Sequence, residues 1–179
     1  MELHIVLHQP EIPQNTGSIG RTCMTTGASL HLIRPLGFSI NDRLLRRAGL
    51  DYWHQLNPGI YENWESFLCA NNNPPLWCLT TKAPRSYDEV EFKNPVYLIF
   101  GKETAGLPRS ILGLVPEKCL RIPMTKEARS LNLSVAVGIV AFEVLRQYNF
   151  PNLHRKDPQN RLRDSDLPPK NGASSHLVF

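Results

Sequence analysis

Three polar segments of the sequence carry the side chains most able to do chemistry. The first, EIPQNTGSIGRTC at residues 11–23, leads into a predicted helix that begins near Thr16 and has Arg21 in its opening turns. The free N–H groups of a helix start attract an anion, and a guanidinium binds phosphate or carboxylate. The segment therefore predicts an anion site, although a surface ion pair for Arg21 and a helix cap for Asn15 are simpler alternatives.

The second segment, FGKETAGLP at residues 100–108, follows an apolar stretch and places Glu103 between Gly101 and Gly106. Glycines permit tight backbone turns, so the flat face of a ligand could approach the chain here. The phosphate-loop pattern GxxxxGK[ST] does not fit, because a leucine and a proline follow Gly106, and GxGxxG is absent from the sequence. The segment by itself is a modest signal for a ligand-binding loop.

The third segment, RIPMTKEARSLNLSVA at residues 121–136, leaves a short apolar stretch at Pro123 and enters a long helix near Ser130 and Asn132. Both of these side chains offer hydrogen-bond donors and acceptors of fixed reach. Serine and asparagine are also preferred N-cap residues, so capping alone could explain either of them.

The apolar pattern indicates a fold that brings these segments together. Short apolar runs predict strands at residues 3–7, 30–33, 76–79, 96–100 and 120–122. Helical stretches separate them, such as a first helix that ends at Gly27 and another from Trp64 to Ala70. Strands that alternate with helices imply a parallel α/β sheet. All three polar segments then follow strands, at the carboxyl edge where open α/β sheets build their ligand crevices.

One long helix is predicted from LNLSVAVGIVAFEVLRQY, residues 131–148, and it is apolar around most of its circumference. Such a helix must be covered on two sides. Periodicity does not distinguish a helix central to a monomer's core from a helix with one face at a subunit interface.

The composition is that of an ordinary globular protein. The 179 residues, 41% hydrophobic and 20% charged, allow one domain with one core. No membrane-spanning stretch and no signal peptide is found, so we expect a cytoplasmic protein without a membrane partner. The net charge of +4 suits a polyanionic partner.

The cysteines are too scattered for a zinc site or a redox dithiol. They are Cys23, Cys69, Cys78 and Cys119. We therefore expect no metal, and reduced thiols that are mostly buried.

The sequence changes character after Pro151, where it becomes polar and loses periodicity. This predicts a folded domain at residues 1–153 and a flexible basic tail at residues 154–179.

The segments, with several shorter ones, occur in a recognisable order. EIPQNTGSIGR, PLGF, RAGLDYW, LTTK, FGKETAGLP and IPMTKEARSLNLSVAV resemble the compact SPOUT methyltransferases that modify the ribose of the tRNA wobble nucleotide, over about residues 3–150. The resemblance implies the SPOUT α/β knot: a parallel sheet with helices on both faces and a C-terminal trefoil knot. It also implies S-adenosylmethionine as methyl donor, tRNA as substrate, and a homodimer in which the long helix packs partly against its twin.

The resemblance also carries the family's site onto residues of this chain. The implied donor-binding residues are Leu79, Gly101, Glu103, Gly106, Ile122, Ser130 and Leu131. The implied catalytic set is Arg21, Asn15, Glu103, Ser130 and Asn132. Separately, three arginines on one predicted helix are candidates for contact with the tRNA backbone, with a solvated helix face as the simpler alternative. They are Arg43, Arg46 and Arg47.

The implied reaction is attack of a ribose 2′-hydroxyl on a sulfonium methyl group, and it requires no metal. A hydroxyl is a poor nucleophile until its proton is removed or strongly polarised. Arg21 is a poor base, because a guanidinium keeps its proton up to a pKa above about 12. We expect Arg21, oriented by Glu103, to clamp the neighbouring phosphate and place the hydroxyl in line, while phosphate or water assists proton loss.

Two related functions stay open. A knotted tRNA-binding protein without catalysis would lack the donor motifs or Arg21, and neither is eroded here. A SPOUT 2′-O-methyltransferase could act on another tRNA or rRNA nucleotide, but the short chain without an appended RNA-binding domain favours the wobble group. Leucine tRNAs are the expected substrates, and the motifs do not choose between cytidine and a modified uridine. An oxidoreductase is set aside, because the dinucleotide glycine pattern is missing.

The chain departs from the family pattern at three places. Phe142 stands where tyrosine is frequent, Ser18 stands where asparagine is frequent, and the tail beyond Pro151 is longer than usual. The first departure removes a hydroxyl hydrogen bond from the expected interface.

Overall fold

A seven-stranded sheet forms the centre of the computed structural model, which describes residues 1–40, 53–159 and 161. The strands are β1 (Leu3–His8), β2 (Ser29–Ile33), β3 (Gly59–Tyr61), β4 (Leu76–Leu79), β5 (Arg85–Ser86), β6 (Val96–Phe100) and β7 (Cys119–Arg121). They lie in the order β3-β2-β1-β6-β4-β7-β5, and neighbouring strands are parallel. The predicted α/β class with a parallel sheet is confirmed.

Helices cover both faces of the sheet. They are α1 (Pro13–Thr26), α2 (Trp53–Leu56), α3 (Trp64–Ala70), α4 (Arg109–Leu112) and α5 (Leu133–Gln147), with 3-10 turns at Tyr87–Glu89 and Pro116–Lys118. Residues of α1 and α5 share one apolar core with the sheet, whereas Phe67 of α3 and Ile111 of α4 belong to the core on the opposite face. The predicted arrangement of helices on both faces is therefore confirmed.

The strand side chains alternate between the two cores, because successive residues of a strand point to opposite faces. In β1, Ile5 and Leu7 join the core under α1 and α5, while Val6 joins the core under α3. In β6, Leu98 and Ile99 divide in the same way. Strands buried on both faces are apolar at nearly every position, which is why their sequences read as continuous apolar runs.

The ends of the two long helices follow from their local sequences. Pro13 occupies the first turn of α1, and Gly27 ends this helix with a φ of 75°, a left-handed conformation that suits glycine. The side-chain oxygen of Asn132 accepts hydrogen bonds from the N–H groups of Ser134 at 2.9 Å and Val135 at 3.4 Å, and so caps α5.

Most predicted elements agree with the structure, with small shifts at their ends. β4, β6 and α3 have the predicted bounds, the predicted stop at Gly27 is confirmed, and β7 lies one residue earlier than expected. The predicted start of the first helix near Thr16 is wrong, because the proline at residue 13 already begins α1. Arg21 is consequently the ninth of 14 helical residues, well past the opening turns where free N–H groups could bind an anion.

The cysteine thiols are free, and three of them, Cys23, Cys78 and Cys119, are buried. Burial raises the pKa of the Cys23 and Cys78 thiols to about 12. The expectation that most of the thiols are buried is confirmed. Within the described ranges no helix is long and apolar enough to cross a membrane, and no group of three or more His, Cys, Asp or Glu side chains is placed to hold a metal ion.

The chain turns back onto the core after α5. The N–H of Phe150 donates to the carbonyl of Leu145 at 2.7 Å, and Leu153 packs against the core. Most of the predicted tail lies outside the described residues, so the boundary between residues 153 and 154 stays a prediction. Three further candidates, Arg43, Arg46 and Arg47, also lie outside the described residues.

Candidate active site

A cavity of about 620 Å³ opens at the carboxyl edge of the sheet, beyond the ends of β4, β6 and β7. Its walls come from residues 79–82, 100–107 and 122–136, with Ile12 and Asn15 from the start of α1. Every residue that the resemblance implied for donor binding lines it: Leu79, Gly101, Glu103, Gly106, Ile122, Ser130 and Leu131. The three polar segments therefore meet at one cavity, as their positions after strands predicted.

The loop that follows β6 is closed tightly on itself. A Cβ atom at Gly101 would lie 2.1 Å from the backbone carbon of Gly106 and 2.2 Å from the nitrogen of Leu107, so this position requires glycine. The N–H of Gly106 donates to the carbonyl of Lys102 at 2.9 Å, and Gly106 has a φ of +70°. Glycine at residue 101 therefore lets the two ends of the loop pack closely, and glycine at residue 106 permits the left-handed turn that closes it.

The carboxylate of Glu103 binds the start of α1. Its Oε2 atom accepts from the N–H of Glu11 at 2.8 Å, and its Oε1 atom accepts from the N–H of Ile12 at 3.3 Å and from Nδ2 of Asn15 at 3.0 Å. The N-cap residue of α1, Ile12, has no side chain that could cap the helix. Glu103 therefore supplies, from another loop, an acidic partner for the helix start.

A second side-chain hydrogen bond links Asn15 to the start of α5. Nδ2 of Asn132 donates to Oδ1 of Asn15 at 2.9 Å, while Oδ1 of Asn132 caps α5. Because the Glu103 carboxylate can only accept, the Asn15 amide must point its NH₂ group to Glu103 and its oxygen to Asn132. The three side chains form one fixed hydrogen-bonded chain that joins β6, α1 and α5. Of the two predicted caps, Asn132 rather than Ser130 holds the helix, and Ser130 lines the cavity.

Arg21 lies apart from this arrangement. It is exposed on α1, does not line the cavity, and forms no hydrogen bond or ion pair with any residue that the structure describes. Within one chain Glu103 does not contact Arg21, because its carboxylate accepts from the start of α1, and orientation of Arg21 by Glu103 stays a prediction. Asn15, Glu103, Ser130 and Asn132 come together, and Arg21 remains free to contact a molecule outside its own chain.

Positive charge gathers at the cavity although two carboxylates are near. Lys82, Lys102 and Arg129 line the cavity without an ion pair in the described part of the chain. The carboxylate of Glu11 accepts from the Oγ1 atom of Thr104 at 2.7 Å and from its N–H at 3.1 Å, and these bonds lower the pKa of Glu11.

Sequence reasoning did not single out five charged or polar residues at or beside the cavity: Glu11, Lys82, Lys102, Thr104 and Arg129. The motifs LTTK and IPMTKEARS were the signals that could have found the lysine of residue 82 and the arginine of residue 129.

The comparison with known proteins identifies the family. The family model described as SpoU rRNA Methylase family matches residues 2–142. The chain belongs to this family of methylases. The matched stretch includes β1 to β7 and most of α5, and therefore every wall of the cavity.

Individual members of the family resemble the chain over most of its length. The tRNA (cytidine(34)-2′-O)-methyltransferase of Escherichia coli K12 is 46% identical over 156 residues, covering 87% of this chain and 99% of its own. A solved structure from work on 2-OH methylation of C/U34 on tRNA has a TM-score of 0.79 and 43% identity, and covers 83% of this chain and 97% of that one. An AdoMet-bound rRNA methyltransferase of Sinorhizobium meliloti has a TM-score of 0.70 and 29% identity, over 81% of this chain and 56% of that one.

Proposed function

We propose that this protein transfers a methyl group from S-adenosylmethionine to the ribose 2′-hydroxyl of the wobble nucleotide of a tRNA. The observation that carries the proposal is the single cavity in which the implied donor-binding residues meet the hydrogen-bonded chain Glu103–Asn15–Asn132. The E. coli relative, whose name states this reaction at cytidine 34, matches nearly its whole length. The substrate places the reaction in the cytoplasm, and leucine tRNAs are the first substrates to test.

The cavity suits the methyl donor in size and in chemistry. A volume of about 620 Å³ lies within the range usual for small-molecule sites. Leu79, Ile122 and Leu131 provide apolar contact for a purine, and the backbone at Gly101 and Gly106 can reach its polar edge. S-adenosylmethionine supplies the electrophilic methyl group of a sulfonium.

Different residues at and near the cavity have different roles in the reaction. Asn15, held on both sides, presents a fixed polar group close to the donor, and Ser130 adds a hydroxyl at the cavity wall. Arg21, whose side chain has no partner in the described residues, binds the RNA phosphate next to the target ribose and orients its hydroxyl. A guanidinium keeps its proton, so phosphate or water receives the proton that the hydroxyl loses.

We propose that two copies of the chain form the active unit. Helix α5 buries one face, and on the other Val135 is 50% exposed and Phe142 is 49% exposed, seven residues apart on the same side of the helix. Leu131, which lies just before the N-cap of α5, is 39% exposed and lines the cavity. A second copy of the chain would cover this face of α5. The Arg21 side chain of each copy would then reach the cavity of the other copy, although it does not line the cavity of its own chain.

A trefoil knot in the C-terminal part of the fold belongs to the same proposal. Strand β7 lies between β4 and β5, and the segment that follows it walls the cavity before α5 begins. The S. meliloti relative, which shares this fold at a TM-score of 0.70, holds AdoMet. A knot that forms the donor pocket would account for the way three separate segments wall one cavity.

Action on another nucleotide is the main alternative, and sequence identity argues against it. The E. coli wobble methyltransferase is 46% identical to this chain, whereas the S. meliloti rRNA methyltransferase is 29% identical. RNA contact by Arg43, Arg46 and Arg47 remains part of the proposal.

The test is methyl transfer from labelled S-adenosylmethionine to unmodified total tRNA, followed by nucleoside mapping of the product. We expect the label as a 2′-O-methyl nucleoside at the wobble position. Label at another tRNA nucleotide, or donor binding without transfer to any tRNA, would overturn the proposal.

A further inference from the structure

We infer that Glu11 is a positioning residue for the methyl donor, which acts through Thr104 to hold the loop after β6 in its donor-binding shape. Glu11 itself does not line the cavity, whereas Thr104 does. The inference rests on the proposed function, because it takes S-adenosylmethionine as the ligand of the cavity. It concerns a residue outside the catalytic and donor-binding sets that the resemblance implied.

Two carboxylates, one in the loop after β1 and one in the loop after β6, each accept hydrogen bonds from the opposite loop. Glu103 accepts from the backbone N–H of Glu11 at 2.8 Å, and Glu11 accepts from the N–H of Thr104 at 3.1 Å and its Oγ1 at 2.7 Å. The loops start side by side, because Leu7 and Phe100 are partners in the sheet. Each loop therefore fixes the other through a charged acceptor, and such hydrogen bonds are stronger than neutral ones.

The loop after β6 needs this external support. Thr104, Ala105 and Gly106 are all exposed, and the hydrogen bond from the Gly106 N–H to the carbonyl of Lys102 only closes the loop on itself. Within the described part of the chain, Thr104 donates two hydrogen bonds, and both go to Glu11. Loss of the Glu11 carboxylate would free the tip of a loop whose inner side forms a wall of the cavity.

Glu11 is held from its other side by the segment PLGF. The N–H of Gly37 donates to the carbonyl of Pro10 at 2.9 Å. A Cβ atom at Gly37 would lie 2.6 Å from the backbone oxygen of Glu11 and 2.7 Å from its Cα, so the close approach requires glycine. The backbone of Glu11 is thus fixed between Gly37 and Glu103, and this position brings its carboxylate within hydrogen-bond distance of Thr104.

The test measures donor binding and turnover in Glu11→Ala, Glu11→Gln and Thr104→Val. We expect Glu11→Ala to weaken S-adenosylmethionine binding, measured by calorimetry, about fivefold or more, in the range usual for coupled sites. Its KM for the donor should rise in proportion, while kcat at saturating donor stays within about twofold. Glu11→Gln, whose amide oxygen can accept both hydrogen bonds, should restore most of the affinity, and Thr104→Val should fall between them.

A fourth variant, at Gly37, acts on the backbone of Glu11. Gly37→Ala pushes against the Glu11 backbone and should weaken donor binding in the same way, although Gly37 is far along the chain from the loop after β6. Unchanged donor affinity in Glu11→Ala, or a loss confined to kcat or to the melting temperature, would overturn the inference.

The calorimetric measurement of donor binding tests this inference independently of the proposed RNA target. Calorimetry uses the donor alone, so a fivefold loss in Glu11→Ala supports the positioning role even if the wild-type chain methylates a different nucleotide. A wild-type chain that binds no S-adenosylmethionine would overturn both the inference and the proposed function.

Discussion

The Asn132 side chain both caps α5 and orients Asn15: its oxygen accepts from the N–H of Ser134 at 2.9 Å, while its Nδ2 donates to Oδ1 of Asn15 at 2.9 Å. One amide therefore fixes two features. It sets the start of α5, the helix with the proposed dimer face, and it orients Asn15 in the polar wall of the cavity. Stability and activity should be separable at this residue.

Asn132→Asp and Asn132→Ala should separate these two roles. Aspartate is an equally good N-cap but cannot donate to Asn15, so Asn132→Asp should keep the melting temperature and lose methyl transfer roughly 10- to 100-fold. Asn132→Ala should lose activity and also about 1 kcal/mol of stability, measured by urea unfolding. Full activity in the aspartate variant would show that the Asn15 contact is not needed.

Arg21→Lys tests whether the arginine acts as a two-pronged phosphate clamp. Lysine keeps the charge but loses the planar fork, so we expect kcat/KM to fall roughly 100-fold. Donor affinity should not change, because the proposed role of Arg21 is to bind the RNA phosphate and not the donor. Near-normal activity of Arg21→Lys would argue that only its charge matters.

Phe142→Glu tests the proposed dimer face on α5. A charge at this half-exposed position should give a monomer by light scattering and should abolish methyl transfer, since burying an unpaired carboxylate is costly. Leu114→Glu is the matched control, because Leu114 is 62% exposed and its neighbours Leu112 and Val115 pack in the core on the face opposite to α5. If the two variants have the same oligomeric state, the dimer face lies elsewhere.

Lowering the pH should decrease the free energy of unfolding, because His31 is buried as a neutral side chain. Its Nε2 atom lies 3.0 Å from Nδ1 of His4 and its Nδ1 atom lies 2.9 Å from the Tyr61 hydroxyl. Burial, and then the neighbouring His4, lower the pKa of His31 from 6.5 to about 4. The unfolded chain therefore takes up a proton first as the pH falls.

The sign of this effect fixes the pH window in which it can be measured. Stability should not depend on His31 above pH 6.5, and on the order of 3 kcal/mol should be lost between pH 6.5 and pH 4. Urea unfolding across this range should show a shallower pH dependence for His31→Gln than for the wild type. Equal slopes would show that other groups cause the acid sensitivity.

The sequence predicted the centre of the sheet better than its edges. Strands such as β4 and β6 are apolar runs buried on both faces, so their bounds could be predicted from composition. The edge strands β3 and β5 have three and two residues, too few for any periodicity, and both were missed. The four-residue helix α4 was missed for the same reason.

The same contrast holds at the candidate site. Glycine and cap residues have local signatures, so Gly101, Gly106 and Asn132 could be found in the sequence. The partners of Glu103 could not, because its hydrogen bonds span about 90 residues and depend on the packing of β1 beside β6. Arg21 was misplaced because the helix start was set three residues too late.

The most direct test of the central claim compares two tRNA transcripts that differ by one oxygen atom. One carries a ribose at the wobble nucleotide and the other a 2′-deoxyribose at that nucleotide, and both receive labelled S-adenosylmethionine and the wild-type protein, with Arg21→Ala as the inactive control. The account predicts methyl transfer to the ribose transcript and none to the 2′-deoxy transcript. Equal transfer to both transcripts would contradict it, because the methyl group would then be attached to some other atom.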